Sequence, residues 1–176
     1  DLCGVSRKAA KTLNFAMAYG AGKKKIVEQL KALDSGADAN KIYQDYHERL
    51  PGIKVLANQA ASSCKKRGYV YNAFGRRRHL PTRASHKAFN SVVQGCAMDY
   101  VKDRMVALSP RYNDKIKSAG IRMAANVHDD ITFCGQFSPE IKEYITETLE
   151  YQAVPFRVPF TWDSGFSDSN WAEASG

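Results

Sequence analysis

Residues 7–20 read RKAAKTLNFAMAYG, and four side chains in this stretch recur at a strict four-residue interval: Arg7, Lys11, Phe15 and Tyr19, followed by Gly20. On an α-helix, residues four apart share nearly one face. Each step climbs roughly 6 Å, so the row spans roughly 18 Å. Two cations followed by two rings match a nucleoside triphosphate read lengthwise. Arg and Lys suit phosphates, Phe the sugar and base, and Tyr the base plane or a template beside it. The same row also describes an amphipathic helix with two exposed charges and two core rings. The stretch predicts a helix over about 5–18 that stops at Gly20, with Gly22 opening a second turn.

Further along, helical patterns are expected near 23–33 and 39–49, separated by the turn-like SGAD, and over 52–66 behind Pro51, closed by Gly68. GYVYNAFGRRRHLP predicts a short hairpin: aromatic and β-branched residues as far as Phe74, a turn at Gly75, three arginines, and a stop at Pro81. A long helix over 84–108 is expected to carry Phe89, Val92, Val93, Met98, Val101 and Met105 on its apolar side. After Pro110 comes a short helix, then IRMAANVHDDITFCG, which reads as strand, tight acidic turn, strand, with Val127, Ile131 and Phe133 as β formers. Ser138-Pro139-Glu140 starts a helix to about residue 151, and VPFRVPFTW is expected to form a final strand. The fold class is therefore α+β, helical at the front with an antiparallel hairpin packed on helices behind.

The 176 residues suffice for one good core or for two subdomains. Their 44% hydrophobic and 25% charged content is that of an ordinary globular protein. No apolar run approaches the ~20 residues needed to span a bilayer, so no membrane partner is expected. The net charge of +8 is uneven: residues 1–88 hold 18 Lys+Arg against 6 Asp+Glu, and the remainder 8 against 12. A basic half joined to a mildly acidic one suits a protein that holds a polyanion with one part and metal ions with the other. Solvated lysine-rich helices would give the same count. Cys3, Cys64, Cys96 and Cys134 are scattered without CxxC or Cys/His spacing, which argues against zinc and a disulfide framework and for a reducing compartment.

His128-Asp129-Asp130 is the second chemical signal. Two adjacent carboxylates at a strand end offer oxygen ligands to Mg²⁺, which takes one or two carboxylates plus substrate phosphates. An ordinary Asp-rich hairpin turn has the same composition.

Taken together, these stretches resemble DNA polymerase family A, the DNA polymerase I family. RKAAKTLNFAMAYG is similar to its fingers-helix motif R-x-x-x-K-x-x-x-F-x-x-x-Y-G, and VHDD to its palm motif VHDE. FGRRRHLP matches the family's FGRRR-x-LP segment, FNSVVQGCAMDYVK resembles its N-x-x-x-Q-G-T-A-A-D helix, and VPFTWDSGFSDSNWAEA resembles its final strand and G-x-x-W ending. The motifs follow in order over essentially the whole chain. The resemblance implies helical fingers over residues 1–84 and the C-terminal part of a palm over 85–176. The implied activity is template-directed deoxynucleotidyl transfer by a two-metal-ion mechanism.

By the same resemblance, Arg7 and Lys11 would hold the incoming deoxynucleoside triphosphate, Lys11 also protonating pyrophosphate. Phe15 would pack on sugar and base, and Tyr19 would guard the templating position. Asp129 and Asp130 would be the metal-binding catalytic carboxylates, serving two Mg²⁺ ions together with a carboxylate that this chain does not carry. Asn90, Gln94 and His128 would lie by the primer terminus and the minor-groove edge, and Arg76, Arg77 and Arg78 would meet phosphates of the primer-template DNA. The implied location is the cytoplasm of a bacterium or of a phage-infected host.

Four departures from the family pattern point to a divergent, phage-type member. His86 stands where Arg is usual, the stretch between Pro81 and Phe89 is short, Cys96 replaces Thr, and Asp130 replaces Glu. The family's other palm motif, D-x-S-x-I-E-L-R, precedes the fingers helix and is not in this sequence. The chain is thus expected to be the C-terminal part of a polymerase, inactive alone, with the motif-bearing palm and the thumb in the same or another chain. Two alternatives stand beside this reading: a non-catalytic nucleic-acid-binding subunit of a split polymerase, and a phage-type single-subunit RNA polymerase. The second usually has Met near Phe15 and HDS in place of HDD.

Overall fold

Amphipathic spacing decides the first layers of the molecule. In the computed structural model, which describes residues 10–11, 14–16, 19, 21–33 and 38–174, helix α1 spans Lys23–Leu33 and α2 spans Ala39–Arg49. Ile26 and Leu30, four apart on α1, meet Ala39, Ile42 and Tyr46 of α2 in one buried cluster. Asp38 caps α2, its carboxylate accepting from the amides of Asn40 and Lys41 at 3.1 Å each. Helix α3, Pro51–Arg67, opens with proline and ends at Gly68, whose φ of 75° turns the chain out of the helix.

Strands β1, Tyr69–Tyr71, and β2, Arg77–His79, form an antiparallel hairpin. The strand is shorter than expected and stops before Phe74. Asn72 takes over, its side-chain oxygen accepting from the amides of Phe74 at 3.1 Å and Arg76 at 2.9 Å, which bends the chain ahead of Gly75. Val70, on the inner face, is buried with Cys64 and Ala88.

The expected long helix is divided. Thr82–Lys87 is 3₁₀, and α4 runs over Ala88–Ala107. The tighter winding behind extended Pro81 brings Ser85 and Ala88, three apart, onto one side, where both are buried. Its apolar side also differs from expectation. Val93 is exposed, while Asp99 and Arg104 are buried.

The chain divides into two compact units, Asp1–Gly95 and Cys96–Gly176. In the second, α5 (Asp114–Ser118) and α6 (Pro139–Glu150) flank a hairpin of β3 (Arg122–Val127) and β4 (Asp130–Cys134). Ile141, Ile145 and Leu149, four apart on α6, close over Leu108, Ile116 and Ile121, with Ile131 and Phe133 of β4 packed against them. Arg104 is accommodated by polar partners: its Nη1 donates to the Thr148 carbonyl at 3.0 Å, near the C-terminus of α6, and its guanidinium pairs with Asp103. Tyr100 donates to the Leu149 carbonyl and stacks on Phe160, ring centres 4.2 Å apart.

VPFRVPFTW is not a strand. Pro155 and Pro159 withhold two ladder donors, and the Gln152 side chain bridges the segment instead. It accepts from the Phe156 amide and donates to the Val158 carbonyl, both at 3.2 Å. A last helix, α7, spans Trp171–Ala174. No described helix is long and apolar enough to cross a membrane, and Cys64, Cys96 and Cys134 are free thiols.

A methyl group added at Gly68 meets nothing within 4 Å, so the left-handed backbone alone sets the penalty there. Gly68→Ala is expected to cost about 1–2 kcal/mol, read as a lower urea midpoint with an unchanged slope.

Candidate functional site

Among the described residues of the opening row, Ala10, Lys11 and 14–16 are helical. Small side chains hold this segment down: Ala10 and Ala16 pack against the cluster of Ile26, Leu30 and Ile42. Lys11 is exposed, Phe15 is 47% exposed, and Tyr19 is half-buried. The Tyr19 amide donates to the Phe15 carbonyl at 2.9 Å, and the two rings stack with centres 5.6 Å apart. The alternative of two core rings is therefore not met at Phe15. Arg7 and Gly20 lie outside the described residues.

Asn90 and Gln94 fall one turn apart on α4. Gln94 is exposed. Asn90 is half-buried, and its side-chain oxygen is fully buried with no hydrogen-bond partner. A buried acceptor in that state costs about 1–3 kcal/mol. A Cβ added at neighbouring Gly95 would come 3.4 Å from the Asn72 amide nitrogen, so the Asn72 side chain of the β1–β2 turn lies against the helix there.

Arg76, Arg77 and Arg78 are all exposed at the end of the same hairpin. Arg77 stands opposite Tyr71 and lays its guanidinium 5.1 Å from the centre of the Tyr69 ring.

In the second unit, His128 and Asp129 are the two-residue connection between Val127 and Asp130, which pair directly. His128 has φ 57°, the only positive value at a non-glycine residue among those described. Positive φ at the first central residue gives a two-residue turn the handedness of the strand twist. Here it is carried by histidine rather than glycine, at some cost in strain. Asn126 steadies the turn, its side-chain amide donating to the His128 carbonyl at 3.3 Å and the Asp130 carbonyl at 3.0 Å. All of residues 124–130 are exposed, Asp129 and Asp130 among them. Among the described residues there is no cluster of three or more His, Cys, Asp or Glu able to hold a metal.

The described candidate residues fall into four local groups. Lys11, Phe15 and Tyr19 form one, Asn90 and Gln94 a second, the three arginines a third, and His128, Asp129 and Asp130 the fourth. A model of DNA polymerase family A matches residues 3–173. The chain belongs to DNA polymerase family A. It is 31% identical over 182 residues to the thermostable DNA polymerase I of Thermus thermophilus, covering 97% of this chain and 21% of that protein. With the DNA polymerase I of Helicobacter pylori it shares 28% over 187 residues, 100% of this chain and 20% of that one. A solved family A structure, the POL domain of Pol1 from M. smegmatis in complex with DNA primer-template and dNTP, superposes with a TM-score of 0.80 at 26% identity, over 97% of this chain and 31% of that one. The chain spans about a fifth of the length of these relatives.

Two features escaped the sequence reading of this family A chain. Asn126 reads as one more polar residue of an alternating strand, and only the folded turn shows what its amide holds. The other is an absence. Residues 49–98 contain ten Lys+Arg and no Asp or Glu, a run that a count by halves conceals.

Asn126→Ala is expected to destabilise the hairpin by about 1 kcal/mol. Amide hydrogen exchange should quicken over residues 127–131 while α6 keeps its protection. Unchanged exchange at the turn would show that the two carbonyl contacts contribute nothing.

Proposed function

We propose that this chain supplies the fingers, residues 1–84, and the C-terminal part of the palm, residues 85–176, of a DNA-directed DNA polymerase. The reaction is template-directed deoxynucleotidyl transfer. What carries the reading is an exposed Lys11 and Phe15, with Tyr19 stacked on Phe15, and an exposed His128-Asp129-Asp130 turn in a chain that family A matches over residues 3–173.

In the reaction, the primer 3′-hydroxyl oxygen bonds to the α-phosphorus, the bond from that phosphorus to pyrophosphate breaks, and the hydroxyl proton is released. Arg7 and Lys11 bind the triphosphate, and the Lys11 ammonium gives a proton to the departing pyrophosphate. Phe15 packs on sugar and base, with Tyr19 stacked behind it beside the templating base. Asn90, Gln94 and His128 lie against the primer terminus and the minor groove. Arg76, Arg77 and Arg78 take phosphates of the duplex.

Asp129 and Asp130 suit Mg²⁺, a hard cation that binds through one or two carboxylates and leaves its remaining positions to phosphate oxygens and water. Two described carboxylates make part of such a site, and a further carboxylate from the rest of the polymerase completes it. When bound, two Mg²⁺ ions supply activation of the primer hydroxyl and charge neutralisation at the leaving group. The same incomplete donor set favours a second reading, a nucleic-acid-binding piece of a split polymerase that works only with a partner chain. Primer extension by the chain alone, against the chain mixed with a fragment carrying the other carboxylate, separates the two.

In the reconstituted polymerase, Lys11→Ala is expected to lower kcat by about 10²-fold or more while primer-template affinity holds. Unchanged kcat with weakened DNA binding would move Lys11 from the nucleotide to the duplex. Phe15 offers the sugar only an apolar edge, so the site relies on the substrate's own 3′-hydroxyl for its polar contact there. The wild type should discriminate against dideoxynucleotides by about 10- to 100-fold, and Phe15→Tyr, which brings a hydroxyl to that place, should remove most of the bias. Equal incorporation of both substrates by the wild type would place Phe15 away from the sugar.

A further inference from the structure

We propose that the outward face of the β1–β2 hairpin, built from Tyr69, Tyr71, Arg77 and His79, is a stacking platform for unpaired bases of single-stranded DNA. Side chains alternate across a strand. The pairing Tyr69 with His79 and Tyr71 with Arg77 therefore gathers three rings and a guanidinium on one face, while Val70 between them goes to the core. The rings order one another. Tyr69 stands at 76° to Tyr71 with centres 5.4 Å apart, His79 lies 5.5 Å from Tyr69, and Arg77 covers Tyr69 at 5.1 Å. Tyr71 is left 49% exposed, a large ring held in place at the surface without being buried.

The surroundings identify the partner by charge. The hairpin follows Lys65, Lys66 and Arg67 in the last turn of α3 and carries Arg76, Arg77 and Arg78, all exposed. It sits in the 50-residue run, 49–98, that has ten cations and no carboxylate. Cations along a backbone track with aromatic faces between them are the chemistry of sequence-tolerant single-strand binding. Paired bases are already stacked on their neighbours, so duplex DNA gains from the cations but not from Tyr71. The surface is distinct from the triphosphate row and from the acidic turn. Its test also uses no nucleotide or metal, so failure of the polymerase reading and failure of this one are separable.

The experiment is fluorescence anisotropy of the 176-residue chain in EDTA with three labelled probes: a twelve-residue oligothymidylate, an abasic strand of equal length, and a blunt duplex. The wild type is expected to bind oligothymidylate more tightly than the abasic strand. Tyr71→Ala should weaken oligothymidylate binding by about 5- to 100-fold, leave abasic-strand and duplex binding unchanged, and keep the slope of log K against log salt. Tyr71→Phe, which retains the ring, should bind as the wild type does. Arg77→Ala should weaken all three probes and flatten the slope by up to about 0.7 on the single strands. Equal wild-type affinity for the thymidylate and abasic strands would overturn the proposal, as a plain polyanion surface. So would a Tyr71→Ala loss shared equally by all probes, or carried by the duplex alone.

Discussion

Two neighbouring carboxylates can stand exposed at the end of a hairpin only if the strands behind them are pinned in register. A slip of one residue between β3 and β4 would exchange the faces of the whole strand, lifting Ile131 and Phe133 off the core and moving Asp129 out of the turn. Three things prevent it. The inward pair holds β4 against Ile141 and Ile145, the irregularity between Met123 and Ala125 fixes the count of residues on β3, and Asn126 ties the two carbonyls that bracket Asp129. The like charges at the tip and the positive φ at His128 both oppose the turn. The core behind it is what makes such a turn tolerable.

The first unit solves a related problem with small residues. A helical segment that shows Lys11 and Phe15 to the outside needs an opposite face that packs without bulk, and Ala10 and Ala16 provide it against Ile26, Leu30 and Ile42. Size thus separates the two faces more sharply than polarity does, because Phe15 is as apolar as anything in the core. A helix read by hydrophobicity alone would turn that ring inward.

Most element boundaries were legible because local chemistry sets them. Proline at the start of α3, Gly68 beyond its end, Asp38 before α2 and Ser138 before α6 each act within a turn of where they stand. The four candidate groups were legible for the same reason, since helical and hairpin spacing are short-range. What the sequence reading missed depends on partners distant along the chain. Asp99 and Arg104 look like the solvated side of α4, yet Arg104 is buried because the carbonyl end of α6 accepts its protons. Residues 82–87 wind as 3₁₀ because Ser85 and Ala88 must both face inward. The final segment alternates like a strand, and its two prolines, which cannot donate to a ladder, were outweighed by its β-branched and aromatic residues.

Charge gives the two units different capacities. The acidic second unit places two of its exposed carboxylates, Asp129 and Asp130, next to each other in sequence at a turn, where they suit a hard cation and repel a polyanion. The first spreads ten cations along residues 49–98 without a single carboxylate among them. Local pairing would have stabilised the fold only slightly, since exposed ion pairs contribute about 0–1 kcal/mol. It would also have removed charge from the surface. Cations crowded together cost mutual repulsion, which a bound polyanion relieves and salt screens. The features least favourable to the chain by itself are therefore the ones that would strengthen its hold on nucleic acid.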